Sequence, residues 1–142
     1  MAAMTASILV TDGEERVSLA IARSLGRAGY AVYVCSRQRR SLAGASRHVR
    51  EEIRVPDPLT EPEAFAAAVA ELVCARRIDV VLPATDASLL ALLPARGRLH
   101  GACIPFPSVH VYRRLADKVA VLERAEALGI ATPEQRVVPH AE

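Results

Sequence analysis

Lys118 is the only lysine in a chain whose other permanently cationic side chains are all arginines. Arginine offers a planar fork that matches carboxylates and phosphates through paired hydrogen bonds, whereas lysine is a compact point charge on a flexible stem. Lys118 follows Asp117, which reads as a helix N-cap, so the lysine falls in the first helical turn. There the macrodipole opposes a cation by roughly 0.3–1 kcal/mol. The same placement adds positive charge to a helix end that already suits anions, and a phosphate would fit it. The alternative is a solvated lysine left over from a bias toward arginine. Spacing leaves both readings open.

Three further segments carry chemistry-bearing residues. Thr11-Asp12-Gly13-Glu14-Glu15 follows a short apolar run, where a phosphate loop would sit. A dinucleotide fingerprint needs three glycines and this loop has one. Its three carboxylates would repel a pyrophosphate, so no NAD site is expected. Asp12 and Gly13 could instead receive an amine or ammonium group, or the loop is a turn whose acids favour the helix dipole. Arg37, Arg39 and Arg40 follow the second apolar run and open a basic segment with Arg47, His48, Arg50 and Arg54. An arginine there can hold a ribose 2′-phosphate. It could also meet an anionic substrate or another domain, or be a solvated loop. Pro83-Ala84-Thr85-Asp86 ends a later apolar run. Asp86 could bond a substrate amine or hydroxyl, and Thr85 or Asp86 could cap the next helix.

No Ser-His-Asp or Cys-His arrangement is visible, and no residue is assigned a catalytic role. Cys35, Cys74 and Cys103 are odd in number and far apart. All three lie in apolar surroundings and read as buried, reduced thiols of a cytosolic protein. Without a CxxC, and with His48, His100, His110 and His140 in no ligand spacing, no metal site is expected.

The elements that must position these residues alternate. Ser7–Thr11 reads as a buried strand, followed by a helix with Val17, Leu19, Ala20, Ala22 and Leu25 at mixed three- and four-residue spacing and Gly29 as its stop. Ala31–Cys35 and Glu52–Val55 read as strands, the latter stopped by Pro56 and Pro58. Thr60 and Glu63 suggest a capping box for a helix that runs to about Arg77, with Phe65, Val69, Leu72 and Val73 inward. Val80–Leu82 is a strand, and a short helix runs from Thr85 or Asp86 to Leu93. Ala102–Ile104 is expected as a fifth strand. Ser108 and Asp117 cap two further helices, Gly129 ends the second, and Gln135–Val138 could begin one more strand.

Continuous apolar strands separated by helices predict an α/β, Rossmann-like, doubly wound parallel sheet of about five strands, with helices on both faces. The right-handed crossover rule favours strand order 3-2-1-4-5. Ligands then bind beyond the carboxyl ends of the strands, near the switch between strands one and four. With 51% hydrophobic and 24% charged residues, the chain is globular rather than disordered. The scarcity of aromatics, 4% and no Trp, leaves Val, Leu, Ile and Ala to build the core. A net charge of +2 is too small to point to nucleic acid. No apolar run approaches ~18 residues, so no membrane span is expected.

Ala116-Asp117-Lys118-Val119-Ala120-Val121-Leu122, followed by Ala127-Leu128-Gly129-Ile130-Ala131-Thr132-Pro133, resembles the passage into the ATP-grasp fold, whose pattern is Asp-Lys, an amphipathic helix, then Gly-Ile-x-Thr-Pro. Upstream, Ala45–Val49, Pro56-Asp57-Pro58 and Ile78–Asp86 resemble the pre-ATP-grasp domain of carbamoyl-phosphate-synthase-large-chain-like and carboxylate–amine ligase proteins. The resemblance implies a pre-ATP-grasp domain over residues 1–115 and the start of the connection to an ATP-grasp domain over 116–142.

That family activates a carboxylate with ATP as an acyl phosphate, which an amine then attacks, with Mg2+ bridging the phosphates. By resemblance, Lys118 would contact ATP phosphate in the full-length protein. Asp12, Gly13, Thr85, Asp86 and Arg37 are the candidate substrate-binding residues. The family's metal carboxylates and second ATP lysine would lie beyond Glu142. The expectation is a domain inactive alone and without tightly bound cofactor, whose partners are the ATP-grasp domain, a small carboxylate and an amine. A homodimer is possible, and a cytoplasmic location is expected. Two other readings stay open: a standalone small-molecule-binding or regulatory Rossmann-like module, and an NADP or nucleotide-sugar binding protein using Arg37 to Arg40.

Overall fold

The computed structural model describes residues 5–134 and 136. It divides into two compact units, Met1–Pro105 and Phe106–Glu142. The first carries the sheet, with elements in the order β1 (Ser7–Val10), α1 (Arg16–Arg27), β2 (Ala31–Ser36), β3 (Val49–Arg54), α2 (Pro62–Arg76), β4 (Val80–Leu82) and α3 (Asp86–Leu92). The second carries α4 (Val109–Ala116) and α5 (Lys118–Ala127).

The sheet has four strands in the order β3-β2-β1-β4, and every pairing is parallel. Leu9 lies opposite Tyr33 on one side and Val81 on the other. Consecutive residues Ile8, Leu9 and Val10 are buried, as are Val34 and Cys35 in β2. Successive strand side chains point to opposite faces, so both faces of the sheet are covered. On one face Ile8, Val10, Val32 and Val34 pack with Ala22 of α1, flanked by Leu19, Ile21 and Leu25. Leu19, Ala22 and Leu25 belong to the apolar face read from the sequence, whereas Val17 and Ala20 of that reading are exposed and Ile21 joins the core instead.

The expected fifth strand does not form. Cys103 makes a single parallel bridge with Val80, its N–H reaching Asp79 O at 2.8 Å and its carbonyl accepting from Val81 N at 2.9 Å. The segment lies on the expected edge of β4. Gly101, at φ 87°, precedes the bridge, and Pro105 and Pro107, which lack N–H groups, follow it. A ladder therefore cannot extend in either direction.

Three other expectations are corrected. The Thr60–Glu63 capping box is absent, because α2 begins at Pro62 with Glu61 as a cap that makes no side-chain bond. The preceding turn is held instead by Asp57, whose carboxylate accepts from Leu59 N at 2.8 Å and whose carbonyl accepts from Glu61 N at 2.8 Å. Cys74 and Cys103 are exposed, and only Cys35 is buried. Cys74 sits one residue beyond the buried stripe of Phe65, Ala66, Val69 and Val73, and Cys103 points out between buried Ala102 and Ile104. Finally, β3 starts at Val49, inside the expected loop, with a register irregularity between Val32 and Tyr33. Its mixed charges suit an edge strand, and Arg76 of α2 grips Glu51 through two bonds of 2.7 Å.

Local end signals perform as the sequence predicts. Thr85 caps α3 by accepting from Ser88 N, Ser108 caps α4 through Val111 N, and Asp117 caps α5 through Val119 N and Ala120 N. Gly29 and Gly129 take φ 91° and 73°. The following residues, Tyr30 and Ile130, bond back to Leu25 O and Ala125 O, which closes α1 and α5 as Schellman motifs. No helix among the described residues is long and apolar enough to cross a membrane. The strand expected at Gln135–Val138 lies, apart from Arg136, outside the described residues.

Candidate functional site

The carboxyl ends of β1 and β4 are joined by a buried polar network. Thr11 N–H donates to Leu82 O at 3.1 Å, which carries the parallel ladder one step past the strands. Asp12 follows with φ 55°, a left-handed conformation that Asp tolerates better than most residues. The turn aims its carboxylate at β4. Oδ1 accepts from Ser88 Oγ at 2.5 Å, and Oδ2 accepts from Thr11 Oγ1 at 2.5 Å and Ala84 N at 3.3 Å. Asp12 is 7% exposed and its neighbours Thr11 and Ser88 are 0%. Ser18 of α1 donates to Thr11 O at 2.8 Å and completes the clamp.

A cleft of about 200 Å³ opens on this network, lined by Asp12, Glu14, Glu15, Arg37, Asp57 and Thr85, with Pro58, Leu59 and Ala87 as its apolar part. Arg37 spans it. Its Nε donates to Glu14 Oε1 at 2.7 Å and its Nη1 to Asp57 Oδ2 at 2.9 Å. Glu14 also accepts from Ser36 Oγ at 2.7 Å. The Asp57 carboxyl is held below the usual carboxylate range, first by the Leu59 N–H and then by Arg37. The Asp57 and Glu14 carboxylates in turn raise the Arg37 guanidinium. Behind the cleft, burial pushes the Cys35 thiol up, and the nearby Asp12 and Glu14 charges add to the effect.

Of the candidate residues, Asp12, Arg37 and Thr85 share this cleft. Gly13 lies behind it. Its N–H donates to Cys35 O at 3.0 Å and its carbonyl accepts from Ala43 N at 2.8 Å. A Cβ there would come within 2.4 Å of Ser41 Oγ and 2.6 Å of Val34 Cγ1, so only glycine lets the loop at 41–44 close on β1. Asp86 is the exposed first residue of α3, outside the lining. Lys118 is exposed in the first turn of α5, in the second unit.

Sequence reading missed Ser88, and it missed Asp57 as a partner of Arg37. Ser88 stands three residues after the cap Thr85, and its spacing gives a capping signal only. Asp57 lies between two prolines in a turn, and nothing local points it at Arg37.

The charge balance decides what the cleft accepts. Four carboxylates (Asp12, Glu14, Glu15, Asp57) face one guanidinium that is already doubly paired. Such a surface attracts cationic groups and repels phosphates. Arg37 has Nε and Nη1 committed to Glu14 and Asp57, and a 2′-phosphate on its remaining N–H groups would lie beside both carboxylates, which counts against the dinucleotide reading. Among the described residues, no group of three or more His, Cys, Asp or Glu could hold a metal ion.

No protein-family model and no curated protein sequence matches the chain. Solved structures match it in fold. An L-amino acid ligase from Bacillus licheniformis superposes with a TM-score of 0.70 at 16% identity, covering 91% of this chain and 32% of that one. The N5-carboxyaminoimidazole ribonucleotide synthetase from Thermotoga maritima gives 0.66 at 21% identity, covering 96% and 34%. The biotin carboxylase domain of a single-chain bacterial carboxylase gives 0.64 at 18% identity, covering 89% and 29%. The chain thus spans about a third of the length of these three structures. The alternation of parallel strands and helices, the switch-point cleft and the paired helices α4 and α5 together give this chain the fold of the N-terminal domain of ATP-grasp enzymes.

Proposed function

We propose that this chain is the N-terminal, substrate-cleft domain of an ATP-dependent ligase that activates a carboxylate as an acyl phosphate for attack by an amine. The observation that carries the reading is the fold match to an L-amino acid ligase over 91% of the chain. In this reading residues 1–115 form the pre-ATP-grasp domain, and 116–142 begin the connection to the ATP-grasp domain, its partner.

The switch-point cleft takes the amine substrate. Its carboxylates offset the charge of an ammonium group, and Thr85 and Asp12 sit where a ligand meets the ends of β1 and β4. Gly13 and Asp86 act indirectly, by shaping the loop and starting α3. Arg37 braces the cleft by tying Glu14 to Asp57, and an incoming substrate carboxylate would compete for its guanidinium.

For ATP, the residues present supply one contact. Lys118 is exposed at the start of α5. The neighbouring N–H groups of Val119 and Ala120 are already bound by Asp117, at 3.0 and 3.2 Å. The lysine therefore meets a phosphate as a point charge, without the helix amides. ATP, when bound, supplies the phosphoryl group that activates the carboxylate. The described residues do not furnish a magnesium site, so metal binding is assigned to the ATP-grasp domain. One such contact suits a domain that binds ATP weakly and does not turn over alone.

The test compares the 142-residue chain with the protein read from the source transcript past Glu142. ADP release is followed with ATP, Mg2+ and panels of amino acids. The expected result is no turnover by the shorter chain. In the longer protein, ligation should depend on Lys118, with Lys118→Ala losing about 10²–10³-fold, the scale of one electrostatic contact to developing charge. Turnover by the 142-residue chain, or a reading frame that stops at Glu142, would overturn the assignment. The second outcome would favour a standalone binding module.

A further inference from the structure

The net charge of +2 averages over an uneven distribution. Eight of the eighteen basic residues and none of the sixteen acidic ones lie between Arg16 and Arg50. Arg37 is tied to Glu14 and Asp57 at the cleft. Arg16, Arg23, Arg27, Arg39, Arg40 and Arg47 are exposed, and none makes an ion pair with a described residue.

The fold gathers these six on one side of the first unit. Arg16, Arg23 and Arg27 succeed one another at seven and four residues on the solvent face of α1, whose buried residues are Ser18 and Ala22. Side chains at that spacing lie along one line of a helix. The loop between β2 and β3 runs beside the same helix. At the head of α1, Ala43 N donates to Gly13 O at 2.8 Å, and Ala43 joins Ala22 in the core on that face of the sheet. At the tail, a Cβ on Gly26 would come within 2.5 Å of His48 Cβ. Arg39, Arg40 and Arg47 therefore flank the arginine line of α1.

Spacing and chemistry select the partner. At a rise of about 1.5 Å per residue, the three α1 arginines stand roughly 10 and 6 Å apart. Phosphates recur about every 3.4 Å of axis along one strand of duplex DNA, so three and two steps cover roughly 10 and 7 Å. Guanidinium forks match phosphate oxygens in pairs. A protein partner would need an apolar centre to its interface. The large apolar residues exposed in this stretch are Val17, Tyr30 and Leu42, too few to supply one. Interfaces with DNA are instead polar and strongly positive. Glu15 bounds the patch at the head of α1, while Glu14 is engaged by Ser36 and Arg37 and Glu52 by Ser41 N.

We propose that the arginine face formed by α1 and the β2–β3 loop is a docking surface for the phosphate backbone of double-stranded DNA. Its contacts run to phosphates, so it holds a duplex without reading the sequence. The surface is separate from the acidic cleft, and the proposal does not depend on the ligase reading.

A fluorescein-labelled DNA duplex is titrated with the 142-residue chain, with anisotropy as the readout. Affinity should fall about 10²-fold between about 50 and 200 mM salt, the slope of about four phosphate contacts. A second duplex of unrelated sequence should bind equally. The double variant Arg23→Glu, Arg27→Glu should weaken binding at least about tenfold and reduce the salt slope. Both side chains are exposed, and circular dichroism verifies the fold. Arg113→Glu with Arg114→Glu reverses as many exposed charges on α4, outside the patch, and should change affinity less than about threefold once salt screens long-range effects.

No binding at the lowest salt, an affinity independent of salt, or equal losses in the two double variants would overturn the proposal. Tighter binding to a polyglutamate peptide would assign the face to an acidic protein segment instead. Tighter binding to an RNA duplex, or binding confined to anionic lipid vesicles, would likewise overturn the DNA assignment.

Discussion

Ser88 donates its hydroxyl hydrogen to Asp12, 76 residues earlier in the chain, at 2.5 Å. This bond, with the Ala84 N–H on the other carboxylate oxygen, locks the loop after β4 onto the loop after β1. The cleft is therefore built on a rigid base, although its residues come from distant segments.

Replacing Asp12 should show how much that base matters. Asp12→Ala removes the short acceptor of the buried Ser88 and Thr11 hydroxyls, while the Ala84 N–H keeps Thr11 Oγ1 at 3.1 Å and Ser88 Oγ keeps Thr85 Oγ1 at 3.2 Å. An unsatisfied buried donor costs about 1–3 kcal/mol. Asp12→Asn keeps one acceptor oxygen and tolerates the left-handed backbone, so it should lose less. Urea unfolding of both variants measures this, and an alanine variant as stable as wild type would show that the network contributes nothing.

Gly13→Ala should destabilise by about 1–3 kcal/mol through overpacking, since the new methyl would sit 2.4 Å from Ser41 Oγ. Adding Ser41→Ala should recover part of the loss, because neighbouring substitutions couple. Thermal melts of the single and double variants test this. Strict additivity would mean that the clash lies elsewhere, against Val34.

Acid sensitivity follows from two half-buried carboxylates. Arg76 lowers the pKa of Glu51, while the Leu59 N–H and then Arg37 lower that of Asp57. A depressed folded-state pKa contributes stability that is present above the unfolded value, near 4, and lost as pH falls through the folded value below it. Stability should therefore drop on acidification below about pH 4. Glu51→Gln and Asp57→Asn should each flatten that slope, more clearly at low salt because the ion pairs are partly exposed. Urea midpoints against pH decide it.

Thiol labelling should split the cysteines two to one. Cys74 and Cys103 are exposed, whereas Cys35 is buried with its thiol pushed up by burial. A maleimide should modify Cys74 and Cys103 in the native protein and reach Cys35 only after unfolding, as read by mass spectrometry. Native labelling of Cys35 would contradict the packing of β2.

Lys118→Glu should separate stability from activity. An acidic residue in the first turn of α5 favours the helix dipole, so the isolated chain should gain about 0.3–1 kcal/mol. On the ATP reading, the longer protein should lose phosphate affinity. A variant both more stable and fully active would remove Lys118 from the phosphate site.

Features carried by a few neighbouring residues were legible in the chain. Thr85, Ser108 and Asp117 cap helices, and Gly29 and Gly129 stop them, because each acts on backbone groups within four residues of itself. The apolar runs of β1, β2 and β4 imply a parallel sheet, and crossover handedness then restricts the strand order. Signals that compete with their surroundings were read wrongly. Thr60 has the right spacing for a cap, but Pro62 moves the helix start past it. Ala102–Ile104 is apolar enough for a strand, but its flanks leave too few backbone groups to pair. Cys74 and Cys103 have apolar neighbours, yet burial depends on which side of an element faces the core.

Sequence alone therefore determined the class of fold, the loops that follow β1 and β4, and the odd placement of Lys118. Only the tertiary structure decided which side chains meet. Arg37 could have faced solvent or a phosphate, and it is the register of β1, β2 and β3 that sets it between Glu14 and Asp57. Asp12 could have been a free acid, and it is the parallel pairing of β1 with β4 that buries it against Ser88. Such contacts depend on the packing of segments 20 to 76 residues apart, and nothing in the local spacing of residues encodes it.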